Sequence, residues 1–162
     1  MPNNAKQKNA WAWLWLSLAV VLIDQLSKHV VDHLLHYGKP LHVLPFFNLY
    51  LKYNAGAAFS FFGNGSGWQI FLLSAVSILV IMFIFAWMAR VKRSDWLMAS
   101  ALSLILGGAV GNLIDRIRLG YVIDFFDFHV GGWHFATFNV ADSAICVGAT
   151  FLVIKLLFFS KK

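Results

Sequence analysis

Four long apolar segments, separated by polar stretches, dominate the order of hydrophobic and polar positions along the chain. The second segment carries no charge over a length of about 33 Å as an α-helix, which is enough to cross the hydrocarbon core of a bilayer. The third is also uncharged, whereas the first and fourth each hold an aspartate near one end. The pattern predicts one integral membrane domain over residues 1–162, with transmembrane helices at about 11–31, 68–89, 96–114 and 139–159.

A shorter pattern lies in the polar stretch between the first two segments. Residues 47–54 alternate apolar and polar side chains, and this period of two predicts a β-strand with one apolar side. Residues 121–128 also predict a short strand, on which Asp124 and Asp127 point to opposite faces, so only one of them is expected to face the core. The predicted fold class is therefore an all-α membrane protein, with four transmembrane helices and a small β-sheet or cradle on the extracytoplasmic face.

Composition supports the membrane assignment. Hydrophobic residues make up 60% of the chain and charged residues 12%, against about 25% charged in a typical soluble domain; the mean hydropathy is +0.71. The net charge of +6 does not indicate a nucleic-acid partner, because the basic residues flank the apolar segments, where they orient a membrane protein. The single cysteine, Cys146, excludes an internal disulfide and a cysteine metal cluster.

Loop charges predict the orientation of the four spans. Basic residues precede the first segment, lie between the second and third, and close the chain, so all of them fall on one side of the membrane. The positive-inside rule makes that side cytoplasmic, with both termini there and the loops 32–67 and 115–138 outside. Lys6 and Lys8 also resemble the start of a secretory signal, but no small-residue cleavage site follows, and an uncleaved anchor is expected.

This orientation gathers the polar residues of the apolar segments at the extracytoplasmic face. Asp24 lies near the outer end of the first segment, and Asn112 and Arg116 lie at the outer end of the third. Asp142 lies near the outer start of the fourth segment, and Asp124 lies in the loop before it. Two carboxylates that meet in low-dielectric surroundings share a proton, and such a pair can supply both the base and the acid of an amide hydrolysis.

Five motifs in chain order resemble those of bacterial lipoprotein signal peptidase, also called signal peptidase II. They cover residues 24 to 142 and read Asp24-Gln-Leu-Ser-Lys28, Asn54-Ala-Gly-Ala-Ala-Phe59, Gly108-Ala-Val-Gly-Asn-Leu-Ile-Asp-Arg116, Val122-Ile-Asp-Phe125 and Phe138-Asn-Val-Ala-Asp142. The resemblance implies an intramembrane aspartic endopeptidase. Such an enzyme removes the signal peptide from a prolipoprotein by cutting just before a diacylglyceryl-modified cysteine.

The resemblance also implies roles for individual residues. Asp124 and Asp142 match the catalytic dyad, and Asp24 matches a supporting residue of the first helix. The polar residues that shape the site and contact substrate are matched by Asn54, Asn112, Arg116 and Asn139. Asn139 could alternatively cap the fourth helix. The implied enzyme uses no metal or other cofactor, binds no nucleic acid, and works as a monomer among the lipids of the bacterial cytoplasmic (inner) membrane.

Several acidic residues also have simpler interpretations. Asp142 could be a carboxylate favoured by the dipole of a helix N-terminus, and Asp124 could be an exposed loop acid. Asp24 and Lys28 are four residues apart, a spacing typical of a plain salt bridge at a helix end. Asp115 could be solvated or could pair with Arg118.

Two other classes of function are compatible with the sequence. His29, His33 and His36 have the spacing of one helical face and could hold a metal ion. A small proton- or cation-coupled transporter subunit could use Asp24 and Asp142, although transport predicts polar groups spaced through the depth of the bilayer. For the peptidase, residues 46–62 are expected to close over bound substrate as a lid.

Overall fold

The computed structural model describes residues 9–56 and 68–159, which form four long helices and four short strands. Each helix is long and apolar enough to cross a membrane, which confirms the four predicted spans. A short 3₁₀ turn, Ala10–Trp13, leads into the first of them. The helices are α1 (Leu14–Leu34), α2 (Trp68–Met88), α3 (Trp96–Leu119) and α4 (Val140–Phe158), and the strands are β1 (Leu41–Leu44), β2 (Phe47–Asn54), β3 (Val122–Val130) and β4 (Trp133–His134).

Helix α3 is the central helix of the bundle. Its most apolar stretch is 67% buried inside the protein, against 22% or less for the other three helices. Glycines let the neighbouring backbones approach it, because a Cβ at Gly107 would lie 2.8 Å from the carbonyl oxygen of Ser17 on α1. A Cβ at Gly148 on α4 would lie 2.7 Å from the carbonyl oxygen of Ala101 on α3. Small residues at these contacts are typical of helices packed in membranes.

Helix α1 has its polar side chains on the protein side and its apolar side chains on the outside. Large apolar residues such as Leu18, Ile23 and Leu26 are more than half exposed, as expected of a surface that meets lipid tails. The buried residues recur every three or four positions and form one stripe: Ser17, Val20, Asp24, Lys28 and Val31. Two charged groups therefore lie inside the bundle, where each needs a partner.

Helix α3 is longer than its apolar segment. The sequence predicted an end near residue 114, but the helix continues to Leu119 and ends at Gly120, whose positive φ of 76° forms a left-handed cap. The prediction was too short because it stopped at the first charged residue. Asp115 is buried in the continuing helix, with an exposed fraction of 3%, since its charge is paired.

The four strands form one antiparallel sheet in the order β1-β2-β3-β4. Strand β2 begins and ends at the residues that the period-two pattern predicted. Leu51, Ile123 and Phe125 pack with Val31 of α1 into a small apolar cluster, which fixes the sheet against the end of the first helix. Strand β3 is thereby held beside the helices.

Both aspartates of β3 are shielded from solvent, and the prediction that only one of them faces the core stays a prediction. The exposed fractions of Asp124 and Asp127 are 2% and 1%. Asp127 accepts hydrogen bonds from Asn48 Nδ2 (2.8 Å) and His134 Nδ1 (2.9 Å). Burial by itself raises the pKa of Asp127, but these hydrogen bonds outweigh it and hold the pKa below its usual value. Side chains from β2 and β4 thus supply the partners that solvent would otherwise provide.

Candidate active site

Asp124 is the third residue of β3 and accepts hydrogen bonds at both carboxylate oxygens. Asn139 Nδ2 donates to Oδ1 (2.7 Å), and Asn54 Nδ2 donates to Oδ2 (3.0 Å). Burial raises the pKa of the Asp124 carboxyl to about 6, and the nearby charge of Asp142 adds to the rise against the two amide donors. Asp124 is therefore a carboxyl that holds a proton more readily than a solvated aspartate, and the interpretation as an exposed loop acid is wrong.

Asp142 lies in the first turn of α4 as part of a capping box. Its Oδ2 accepts from the backbone N–H of Asn139 (3.2 Å), and the Asn139 side chain accepts from the backbone N–H of Asp142 (2.9 Å). A second donor comes from another helix, because Asn112 Nδ2 on α3 donates to Asp142 Oδ1 (2.8 Å). Asp142 is thus a helix-terminal carboxylate that also belongs to a network between helices.

Asn139 joins the two aspartates. The segment before α4 pairs with β3, since Phe126 donates its backbone N–H to the carbonyl of Phe138 (2.8 Å). This pairing brings the next residue, Asn139, beside Asp124. Its Nδ2 donates to Asp124 Oδ1 and to Asn112 Oδ1 (3.2 Å), while its Oδ1 caps α4. Asn139 therefore caps α4, as the sequence allowed, and binds Asp124 with the same side chain.

Asn54 ends β2, where its side chain both begins a turn and contacts Asp124. Its Oδ1 accepts from the backbone N–H of Gly56 (2.9 Å), as in an Asx turn, while its Nδ2 reaches Asp124. The rest of the predicted lid beyond Gly56, residues 57–62, lies outside the described residues.

Arg116 has a different hydrogen-bond partner from the predicted site asparagines, which donate to the aspartates. It is partly buried on α3, and within the described residues its Nη1 donates to Ser77 Oγ on α2 (3.4 Å). Its charge still acts electrostatically on Asp124 and Asp142. The structure therefore brings Asn54, Asn112 and Asn139 onto the aspartates and leaves Arg116 beside them without a direct hydrogen bond to either carboxylate.

A buried lysine is the feature of the site that the sequence interpretation missed. Lys28 is 2% exposed and lies 2.8 Å from Asp24 Oδ2 and 2.8 Å from Asp115 Oδ2. The predicted salt bridge between Asp24 and Lys28 is present, but it is buried and shared with Asp115, so it is not a plain pair at a helix end. Asp115 pairs with Lys28 instead of being solvated or bound to Arg118. The signal was present, since Lys28 falls on the stripe of α1 that holds Ser17 and Asp24.

The histidines of the first helix do not converge on one point. The rings of His29 and His33 lie with centroids 4.1 Å apart and their planes tilted by 47°, and His36 lies beyond the last residue of α1. Across residues 9–56 and 68–159, no group of three histidine, cysteine or acidic side chains has the geometry to hold a metal ion.

The raised pKa of Asp124 predicts a pH-dependent stability difference between the native protein and Asp124→Asn. The folded-state pKa exceeds the ordinary value of 3.8, so the contribution of the neutral carboxyl to stability is complete below about pH 4 and is lost as pH rises through about 6. The asparagine stays neutral, and the stability of the variant relative to native should rise between pH 4.5 and 7.5 by roughly 2 kcal/mol.

Thermal unfolding of the detergent-solubilised proteins at both pH values measures this difference. Asp127→Asn is the matched control, because the pKa of Asp127 is lowered and its difference from the native protein changes only below about pH 4. A difference for Asp124→Asn that stays constant from pH 4.5 to 7.5 would contradict the raised pKa.

The fold and the site together define a class of protein. Four membrane-spanning helices carry two carboxylates, joined by amide side chains, where the ends of α3 and α4 meet a small sheet. Two carboxyl groups in unlike surroundings at one site are typical of acid–base hydrolysis. The chain belongs to the signal peptidase II family: residues 16–158 match the family described as Signal peptidase (SPase) II. It is therefore a membrane peptidase of the aspartic class.

Individual relatives agree with this family. The chain is 55% identical over 152 residues to a lipoprotein signal peptidase of Coxiella burnetii (strain RSA 331 / Henzerling II), with 94% of this chain and 93% of the relative covered. It is 44% identical over 145 residues to a lipoprotein signal peptidase of Teredinibacter turnerae, with 90% and 86% covered. A solved bacterial membrane enzyme superposes with a TM-score of 0.82 at 28% identity, covering 94% of this chain and 97% of that one. The comparisons confirm the peptidase interpretation and lend no support to the transporter alternative.

Proposed function

We propose that Asp124 and Asp142 are the catalytic dyad of this peptidase and share one proton. The observation that carries the proposal is the run of amides between them: Asn139 donates to Asp124 (2.7 Å) and to Asn112 (3.2 Å), and Asn112 donates to Asp142 (2.8 Å). A run of this kind supports two carboxyl groups that act on one bond. The two carboxyl groups titrate as a coupled pair, so their apparent pKa values describe the pair and not either residue alone.

The two members differ in their surroundings, which supports different roles. Asp124, with its pKa raised to about 6 by burial, holds the shared proton. Asp142 accepts N–H donors from Asn112 and Asn139 and is the base. It takes a proton from water as the water oxygen bonds to the scissile carbonyl carbon. Asp124 gives its proton to the leaving nitrogen, the C–N bond breaks, and the proton on Asp142 then returns to Asp124.

The proposed substrate is a prolipoprotein that carries a diacylglyceryl-cysteine, cut just before that cysteine. The dyad residues lie at a helix end and on the adjoining sheet, where a substrate whose acyl chains stay in the bilayer presents its scissile bond. Asn54, already bound to Asp124, and Arg116, with its partly buried guanidinium, are proposed to shape the site and contact the substrate. Asp24 is proposed to support them from α1.

The proposed location is the extracytoplasmic side of the bacterial inner membrane, with both termini in the cytoplasm. The basic residues Arg90, Lys92 and Arg93 lie between α2 and α3, at the end of the bundle opposite the aspartates, and the positive-inside rule favours that end as cytoplasmic. The chain is proposed to act as a single monomeric domain, residues 1–162, among membrane lipids. The lid over residues 46–62 stays a prediction.

Cleavage of two synthetic precursors by the purified protein tests the substrate. The precursors have one sequence and differ only in the diacylglyceryl group on the cysteine. We expect the lipidated precursor to be cut at least about tenfold faster, because its acyl chains hold the scissile bond at the membrane with roughly 0.8 kcal/mol for each buried methylene. Mass spectrometry of the product should show the modified cysteine as the new first residue.

Asp142→Asn serves as the control for contaminating proteases in this assay. Equal rates for the lipidated and unlipidated precursors would contradict the proposed substrate, and a product that begins at another residue would contradict the proposed cleavage position.

A further inference from the structure

Lys28 is a fully buried cation whose hydrogen-bonding capacity is completely used. Its Nζ lies 2.8 Å from Asp24 Oδ2, 2.8 Å from Asp115 Oδ2 and 3.1 Å from Asn112 Oδ1. An ammonium group has three hydrogens to donate, and each of them has one acceptor here. Buried ion pairs are a weak source of stability compared with apolar packing, so stability alone does not explain this group.

The two carboxylates paired with Lys28 each hold the backbone next to a dyad aspartate. Asp24 Oδ1 accepts the N–H of Ala141 (2.9 Å), the residue before Asp142. Asp115 Oδ2 accepts the N–H of Ile123 (3.2 Å), the residue before Asp124. The two chain segments that carry the dyad are thus fixed to one cation through equivalent contacts.

The third acceptor of Lys28 determines which way the Asn112 amide points. Asn112 Oδ1 accepts from Lys28 Nζ and from Asn139 Nδ2, so its own Nδ2 is left to donate to Asp142 Oδ1 (2.8 Å). A reversed amide would place its N–H₂ group against the ammonium and its oxygen against the carboxylate. Both contacts would be repulsive, and the cation therefore selects the orientation that serves Asp142.

Neighbouring residues close this cluster on its remaining sides. Gln25 Nε2 donates to Asp115 Oδ1 (2.8 Å) and to the carbonyl oxygen of Gly111 (3.2 Å). A Cβ at Gly111 would lie 2.6 Å from Asp24 Oδ2, so the close approach of that carboxylate to α3 requires glycine there. The contacts hold the cluster in one arrangement.

We propose that Lys28 is a positioning residue for the dyad, which fixes the backbone before each aspartate and directs the Asn112 amide hydrogen onto Asp142. The proposal rests on Asp124 and Asp142 being the dyad, as inferred above. Lys28 is not a catalytic residue, since its Nζ contacts Asp24, Asp115 and Asn112 and donates to neither dyad carboxylate. Its removal should affect turnover more than substrate binding.

Lys28→Met removes the cation and keeps a side chain of similar length. We expect kcat for the lipidated precursor to fall about 30-fold, since small misplacements of reacting groups cost up to about 10²-fold, with KM changed by less than about threefold. Lys155→Met is the matched control. It breaks the ion pair between Lys155 and Asp95 (2.9 Å), which lies at the opposite end of the bundle, and it should leave kcat unchanged.

A double variant separates positioning from simple charge balance. The native cluster has one positive and two negative groups, hence a net charge of −1; Lys28→Met makes it −2, and Lys28→Met with Asp115→Asn restores −1. The asparagine oxygen at position 115 can still accept the N–H of Ile123. If Lys28 positions Asn112, kcat stays low in the double variant, and if it serves only as a counter-charge, kcat recovers and the proposal is overturned.

Two further comparisons keep the outcome unambiguous. If Lys28→Met does not accumulate in membranes, kcat of the double variant Lys28→Met, Asp115→Asn is compared with the native value instead. Asp124→Asn and Asp142→Asn, assayed in parallel, test the dyad itself: loss of cleavage in both, together with unchanged kcat in the Lys28 variants, would overturn only the positioning role. Retained cleavage in either aspartate variant would instead remove the dyad on which the proposal rests.

Discussion

Replacing either Asp124 or Asp142 by asparagine is expected to lower kcat about 10³- to 10⁴-fold, the contribution typical of a positioned acid or base. Asparagine keeps the shape of the side chain and one oxygen acceptor, so the contact from Asn139 to position 124 or from Asn112 to position 142 can remain. The second donor at each position, Asn54 Nδ2 or the backbone N–H of Asn139, loses its acceptor. It cannot accept a proton from water or give one to the leaving nitrogen. Release of the signal peptide from the lipidated precursor, followed over time at saturating substrate, measures the loss.

Asp127→Asn is the matched control for these two variants. Asp127 lies on the same strand as Asp124, is equally buried, and also accepts from an asparagine amide, that of Asn48. Its contacts are with His134 and Asn48 and not with the dyad. The control should retain most of the native kcat. An Asp124→Asn protein that keeps more than a tenth of native activity, or an Asp127→Asn protein that loses as much as Asp124→Asn, would remove the proposed assignment.

In the proposed dyad the two aspartates act on one reaction, so the losses of activity in the two single variants should not add. Once one carboxyl is gone, proton transfer within the pair is already lost, and the Asp124→Asn, Asp142→Asn double variant should be about as slow as either single variant. A double variant slower by the product of the two single losses would indicate that the carboxyl groups act independently.

Periodicity predicted the elements of the fold well, because it depends on neighbours in the chain. A helix that faces lipid is apolar nearly all round, and the uncharged run of α2 reveals it directly. Strand β2 has one apolar side, and alternation over 47–54 gave its bounds. The end of α3 was missed because it depends on a residue far away in the chain. A charged residue within a membrane helix needs a partner that neutralises its charge, and the partner of Asp115 is Lys28 on α1, 87 positions away.

The sequence predicted most residues of the candidate site but not the contacts that join them. The resemblance to signal peptidase II named Asp124, Asp142 and Asn139 by motif. The spacing of Lys28 from Ser17 and Asp24 places it on the buried stripe of α1. No local pattern indicates that its partners there are Asp115 and Asn112, since both contacts form only when α1 packs on α3. A lysine taken with Asp24 alone resembles an ordinary helical pair. Burial distinguishes the two situations, and burial depends on packing between helices.

Substitutions of Asn139 can separate an effect on stability from an effect on turnover. Its side chain caps α4 through the oxygen and joins the aspartates through the nitrogen. Asn139→Ala loses both functions, and loss of a helix cap costs about 0.5–2 kcal/mol of stability. Asn139→Ser keeps a good capping oxygen and loses only the amide hydrogens that reach Asp124, Asn112 and the carbonyl of Ile123.

We therefore expect Asn139→Ser to unfold near the native temperature while its kcat falls about 10²- to 10³-fold, the loss typical of removing one preorganised donor. Asn139→Ala should be equally slow and also less stable. The pairing of Phe138 with Phe126 uses backbone atoms only and should survive in both variants, so the segment stays beside β3. Thermal unfolding and precursor cleavage, measured on the same preparations, test this division. Near-native kcat in Asn139→Ser would show that Asn139 is needed only to begin α4, and that the hydrogen bond to Asp124 contributes little to turnover.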